Sequence, residues 1–148
     1  MVAPAPNSLD LIGDICTQML ISYDIYARNC HISGNELAIL YTLWVDGACT
    51  QKHIAEKCQI VKQTVNTLCK KYEADGLLSG QVGESDKREK TLHFTEQGRA
   101  FARTVVEPLL ALEQEVIAEF GEARMKNLLN EFKELQIMLS KKLERNHG

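Results

Sequence analysis

Long apolar runs are missing from this sequence of 148 residues. Charged side chains interrupt every apolar stretch before it reaches the roughly 18 residues that a membrane-spanning helix needs, so no membrane partner is expected. The first eight residues hold two of the three prolines and lack the apolar core of a signal peptide. These absences predict a cytoplasmic protein, and the length predicts a single domain, residues 1–148.

The sequence also lacks the motifs of cofactor, metal and enzyme sites. The five cysteines form no Cys-x-x-Cys pair, and their odd number argues against a disulfide framework. Cys49 and His53 have the spacing of metal ligands on a helix, but no second pair completes the four ligands of a structural zinc site. GxSxG, HExxH, a phosphate loop and a strand-linked GxGxxG are absent. We therefore expect free thiols, no metal, no cofactor and no enzyme activity.

Helix signals are present at both ends of the chain. Apolar residues spaced by three and four predict an amphipathic helix over residues 9–30. Two further apolar stripes predict long helices on either side of Gly121, within residues 99–145. Together these stripes exceed what a small central domain can cover, which is typical of a partner interface. We expect the terminal helices to form a homodimer.

The central part begins with a helix that carries a capping box. Ser33 and Glu36 have the spacing at which the Ser hydroxyl and the Glu carboxylate each accept a first-turn N–H, and the helix is predicted to end near Gly47. Thr50 is predicted to cap a short third helix, residues 51–58.

After a three-residue break, a fourth helix is predicted over residues 62–75 and ends at Gly76. Its predicted buried side consists of Val65, Leu68, Cys69 and Tyr72.

Alternating polarity then predicts two strands, residues 78–82 and 90–94, joined by a polar loop. Two short helices followed by a hairpin make a winged helix-turn-helix, in which one helix can enter the major groove of DNA. The predicted fold is therefore mainly α with a small β-hairpin wing. The DNA-binding lobe is expected over about residues 33–98, between the dimerisation helices.

The charge distribution supports this assignment. The whole chain has a net charge of −3, but residues 50–103 contain ten Lys or Arg and seven Asp or Glu and are net positive. On the fourth helix the predicted solvent face contains no acid, whereas ordinary solvated faces usually mix both signs. It combines amides that suit adenine edges with lysines that suit phosphate or guanine. These residues are Lys62, Gln63, Thr64, Asn66, Thr67, Lys70 and Lys71.

The predicted wing carries Asp86, Lys87 and Arg88. An Asp two residues before an Arg can accept from its guanidinium and hold it at a phosphate or a minor groove. Lys52 and Lys90 complete the predicted DNA-binding set.

The pattern resembles the multiple antibiotic resistance regulator (MarR) family of winged helix-turn-helix proteins. The resemblance rests on a Thr and a small aliphatic residue in the fourth helix, a Leu-Glu-like end of that helix with a Gly-Leu exit, the wing Asp-x-Arg, and a Leu-Thr-x-x-Gly segment with Phe94 in the Leu position. In this chain the corresponding residues are Thr64, Val65, Tyr72, Glu73, Gly76, Leu77, Asp86, Arg88, Leu92, Phe94, Thr95 and Gly98.

The resemblance implies a homodimer that binds double-stranded DNA, usually as a repressor, with one recognition helix per subunit in successive major grooves. It also implies control by a small signal. Relatives bind aromatic or other lipophilic molecules, and some sense oxidants through a cysteine. For a small effector, the candidate residues are Met19, Tyr23, Tyr26, Arg28 and Trp44.

Three alternatives stay open at this point. In the first, the aromatic rings of the effector set are ordinary core residues and Arg28 is solvated. For a redox-sensing regulator the candidate thiols are Cys16 and Cys30, against which stands the usual role of helical cysteines as small inert hydrophobes. A winged-helix interaction module without DNA binding is the third alternative.

Overall fold

In a computed structural model of the chain, residues 1–82 and 89–146 are described. The chain forms two compact units, residues 1–106 and 107–148. The mainly helical class with a small sheet is confirmed. In chain order the described elements are α1 (Ser8–Asn29), α2 (Gly34–Asp46), β1 (Cys49–Thr50), α3 (Gln51–Cys58), α4 (Lys62–Ala74), β2 (Leu78–Val82), β3 (Lys90–Phe94), α5 (Glu96–Phe120) and α6 (Glu122–Arg145).

Side-chain caps fix the starts of the first three helices. Asn7 accepts from the Asp10 N–H at 3.0 Å and donates its own N–H to the Asp10 carboxylate, a capping box that begins α1. Ser33 and Thr50 accept the equivalent first-turn bonds of α2 and α3, as predicted. Because Val61 precedes α4, that helix begins without a side-chain cap.

The predicted role of Glu36 as the second half of a capping box is wrong. Glu36 is buried, and its carboxylate accepts from the Tyr72 hydroxyl at 2.9 Å and from the Lys71 ammonium at 3.3 Å. A buried carboxylate facing two strong donors on α4 gains more from them than from a single N–H in its own first turn. Glu36 therefore connects α2 to α4.

The sheet has one strand more than the predicted hairpin. β3 lies between β1 and β2, and both pairings are antiparallel. In the register Cys49 lies opposite Leu92, and Gly80 lies opposite Leu92 on the other side. β1 has two residues, too few to show alternation in the sequence.

The core of residues 1–106 lies between the helices and this sheet. The prediction that Val65, Cys69 and Tyr72 are buried on α4 is confirmed, whereas Leu68 is only half-buried. The largest fully buried side chains are Ile39, Leu40, Ile54, Val65, Cys69, Leu92 and Val106.

Thr95 and Gly98 join the sheet to α5. Thr95 Oγ1 donates to the Gly76 carbonyl at 2.6 Å and accepts from the Gly98 N–H at 3.0 Å. A Cβ on Gly98 would lie 1.7 Å from the Leu77 carbonyl oxygen, so only glycine allows this approach. The Thr-x-x-Gly segment thus positions the first turn of α5 against the exit of α4.

In residues 107–148, α6 is a helix of 24 residues with no buried side chain. Exposed apolar residues recur along one side of it, namely Leu128, Leu129, Phe132, Leu139 and Leu143. Each helix in residues 1–82 and 89–146 is too short or too polar to span a membrane.

Candidate nucleic-acid interface

α3 and α4 form the helix-turn-helix of the lobe. The turn between them begins at Gln59, whose φ of 52° is left-handed, and the Gln59 side chain donates to the Glu56 carbonyl at 2.7 Å. α4 buries Val65, Cys69 and Tyr72 and therefore turns its opposite side to solvent. This solvent side is the surface that the sequence analysis predicts to contact DNA.

The predicted recognition residues fall into two groups on α4. Thr64 and Asn66 are half-buried at the two edges of the solvent side. The other five are exposed: Lys62, Gln63, Thr67, Lys70 and Lys71.

Two of the predicted basic residues already have partners within the protein. Lys71 contacts the Glu36 carboxylate, and Lys90 donates to Glu73 at 2.7 Å. Glu73 is the only acid of α4. Because it pairs with Lys90, its negative charge beside the solvent side of α4 is balanced. Lys52 lies exposed in the first turn of α3.

A shallow groove of about 340 Å³ lies beside the first turns of α4. Its lining contains few polar groups because valine, leucine and two threonines surround one glutamine. The Thr67 hydroxyl is bonded back to the Gln63 carbonyl at 2.9 Å. The lining residues are Val61, Gln63, Thr64, Thr67 and Leu68. Val61 and Leu68 were absent from the predicted site, although an apolar residue at a helix cap position is a visible signal in the sequence.

A second polar cluster joins the end of α2 to α3. The Asp46 carboxylate lies 2.8 Å from His53 Nε2 and 2.7 Å from Lys57 Nζ. The hydrogen bonds from His53 and Lys57 lower the pKa of Asp46. Because His53 is bonded to Asp46, the structure gives no support for His53 and Cys49 as a pair of metal ligands. Within the described part of the chain, no group of three His, Cys, Asp or Glu side chains is placed to hold a metal ion.

The wing residues Asp86, Lys87 and Arg88 lie outside the described residues. The strands that flank this loop are described, and they end at Val82 and begin again at Lys90 as predicted. The Asp-x-Arg assignment therefore remains a prediction from the sequence.

The five predicted effector residues do not share one face. Tyr26 donates to the Val105 carbonyl at 2.5 Å, and Trp44 packs with Phe94 at 6.4 Å between ring centroids. Arg28 is exposed and lies five residues after Tyr23, about 140° around the helix. The remaining member, Met19, is exposed on α1.

Trp44 also has a cationic neighbour that the sequence did not suggest. The Arg99 guanidinium lies over its ring, 4.7 Å from the centroid. Arg99 is in the first turn of α5, and Trp44 is at the end of α2, so the pair is distant in sequence and close in space.

The candidate redox thiols are both half-exposed. Cys16 lies on α1, and Cys30 caps its end beside the Tyr26 hydroxyl. Burial, together with the Cys30 thiol, raises the pKa of Tyr26 to about 12. Burial also raises the pKa of Cys49 and Cys69, which disfavours their reactive thiolate forms.

The helix-turn-helix, the three-stranded sheet and the acid-free face of α4 define a winged helix-turn-helix regulator. The family model described as MarR family matches residues 32–90. The MarR family regulator NMB1585 from Neisseria meningitidis is 34% identical, with 95% of this chain and 99% of that chain covered and a TM-score of 0.84. The chain belongs to the MarR family.

Other relatives are similar over most of the chain. The uncharacterized HTH-type transcriptional regulator YwoH of Bacillus subtilis (strain 168) is 27% identical over 114 residues, 77% of each chain. The S. aureus MepR–DNA complex is 19% identical with a TM-score of 0.71, covering 90% of this chain and 96% of that one. NadR in complex with 4-hydroxyphenylacetate is 17% identical with a TM-score of 0.75, covering 91% and 97%. At these low identities the last two show a shared fold.

Proposed function

We propose that the protein is a homodimeric repressor that binds double-stranded DNA by inserting α4 into the major groove. The observation that carries this proposal is the solvent side of α4. Lysines and amides occupy it, and the only acid of α4, Glu73, is paired with Lys90. Such a surface matches phosphates by charge and base edges by hydrogen bonding.

The wing and the charge distribution support the same partner. Residues 50–103 carry net positive charge while the rest of the chain is acidic. The loop with Asp86, Lys87 and Arg88 is proposed to contact the backbone or minor groove beside the site of α4. Since the proposed partner is chromosomal DNA, we place the protein in the cytoplasm.

The dimer is proposed from the exposed apolar residues of α6 and α1. α6 exposes an apolar stripe along its length, and α1 exposes Leu11, Ile15 and Ile25. Exposed apolar surface of this extent is typical of an interface. A second copy is the natural partner because one palindromic site needs two recognition helices.

We further propose that a small aromatic molecule releases the protein from DNA. The fold is shared with NadR, whose structure contains 4-hydroxyphenylacetate. Adding that compound to the protein–DNA complex tests this step. A fall in bound fraction is expected, and an unchanged fraction across a millimolar range argues against this class of effector.

Fluorescence anisotropy with the protein's own promoter DNA, repeated across salt concentrations, tests the main proposal. Binding through several lysines should weaken steeply as salt rises, because each neutralised phosphate releases counterions. Sequence-preferring, salt-sensitive binding is the expected result. Absence of binding at low salt would instead favour a winged-helix interaction module.

A further inference from the structure

Val61 is the most exposed large apolar side chain that the structure describes between residues 30 and 110. Its exposure is 71%, compared with 53% for Val45 and 58% for Val82. It stands at the N-cap of α4, and lysine, glutamine and threonine follow it in the sequence. A valine in this place makes no side-chain cap bond and packs into no core.

The groove beside Val61 has a specific chemical character. Leu68 extends its apolar lining, and the Thr67 hydroxyl proton is used on the Gln63 carbonyl. The other polar side chains of the lining are the Gln63 amide and the Thr64 hydroxyl. An apolar surface near an amide matches the major-groove edge of a T·A pair, which presents the thymine methyl group at one end and the N6 and N7 of adenine at the other.

We infer that Val61 determines sequence specificity by packing against the C5-methyl of a thymine, next to an adenine bonded by Gln63. The inference rests on the proposed entry of α4 into the major groove. In helix-turn-helix proteins the N-terminal residues of the recognition helix contact base edges, and Val61 and Gln63 occupy that end. The methyl group is what distinguishes thymine from uracil, and in the major groove it also separates a T·A pair from a C·G pair.

The first step of the test is to select tight-binding duplexes from a random pool with the full-length protein. Each thymine of the selected half-site is then replaced singly by uracil, which removes only the C5-methyl. At one thymine per half-site, the wild-type protein should bind the uracil duplex about fourfold more weakly, since burial of one methyl-sized group contributes roughly 0.8 kcal/mol.

The variants identify the residue responsible. Val61→Ala should bind the thymine and uracil duplexes equally. Val45→Ala is the matched control, because Val45 is also an exposed valine but lies on α2. It should keep the fourfold difference.

The outcomes separate this inference from the function on which it rests. If the wild-type protein binds selected duplexes in a salt-sensitive way but tolerates uracil at every position, Val61 contacts no thymine and only the inference fails. Retention of the thymine preference by Val61→Ala has the same meaning. If the selection enriches no sequence and no salt-sensitive binding occurs, the proposed function and the inference fail together.

Discussion

The Tyr72 hydroxyl donates a hydrogen bond to Glu36 Oε2 across 2.9 Å in the interior of the lobe. Tyr72 belongs to α4 and Glu36 to the first turn of α2, so the bond fixes α4 to α2. Burial and the adjacent carboxylate both raise the pKa of Tyr72, which keeps the hydroxyl protonated as the donor.

Replacing Tyr72 with Phe should destabilise the protein by about 1–3 kcal/mol, because a buried carboxylate then loses a strong donor. Urea unfolding of Tyr72→Phe, Glu36→Gln and the double variant measures the coupling. The double variant should lose less than the two single losses combined. Strict additivity would show that the two groups contribute independently.

The residues that were predictable from the sequence are those whose signals are local. Ser33, Thr50 and Gly121 mark helix boundaries, and each lies where the pattern placed it. Glu36 and β1 escaped prediction because their partners, Tyr72 and Leu92, are more than thirty residues away. Within the candidate site, a helical period predicted the outward side of α4.

The helical period of α4 did not show that Lys71 pairs with Glu36, and no local signal showed that Lys90 of β3 pairs with Glu73. Both pairings depend on tertiary packing. The helical period also did not separate the half-buried Asn66 from the exposed Gln63. Spacing on one helix predicts direction, but the extent of exposure depends on the neighbouring elements.

Gly98→Ala should destabilise the protein by about 3 kcal/mol or more, because the new methyl group meets backbone that cannot move aside cheaply. Gly13→Ala is the matched control. A Cβ at Gly13 meets nothing within 4 Å, and the position is helical, so alanine should stabilise by about 0.5–1 kcal/mol. Thermal unfolding of both variants checks this, and a neutral Gly98→Ala would contradict the close approach to Leu77.

Tyr26→Phe should cost about 1 kcal/mol at neutral pH through loss of the bond to the Val105 carbonyl. The cost should also depend on pH. The folded pKa of Tyr26 is raised from 10.0 to about 12, so its contribution is complete below pH 10 and is lost as pH rises toward 12. Urea unfolding of both proteins at a series of alkaline pH values should show their difference shrinking. A constant difference would mean that Tyr26 has an ordinary pKa.

Lys70→Ala should weaken DNA binding about equally for all sequences and reduce the slope of log affinity against log salt by about 1, as expected for one lost phosphate contact. From the sequence, we predict that Arg88→Ala also weakens DNA binding about equally for all sequences. Lys126→Ala, on the exposed surface of α6, is the control and should leave the slope unchanged. A change of sequence preference in Lys70→Ala would instead assign Lys70 to a base.

Phe132→Asp should convert the proposed dimer to a monomer at micromolar concentration, because it places a charge in the apolar stripe of α6. Ile137→Asp is the matched control. Ile137 is 50% exposed, compared with 39% for Phe132, but its position five residues later lies about 140° around the helix. Both variants carry the same helix-propensity cost, so only the side of the helix differs. Light scattering should give a dimer mass for the wild type and Ile137→Asp and a monomer mass for Phe132→Asp. A wild-type monomer, or equal masses for the two variants, would contradict the assignment of this stripe to the interface.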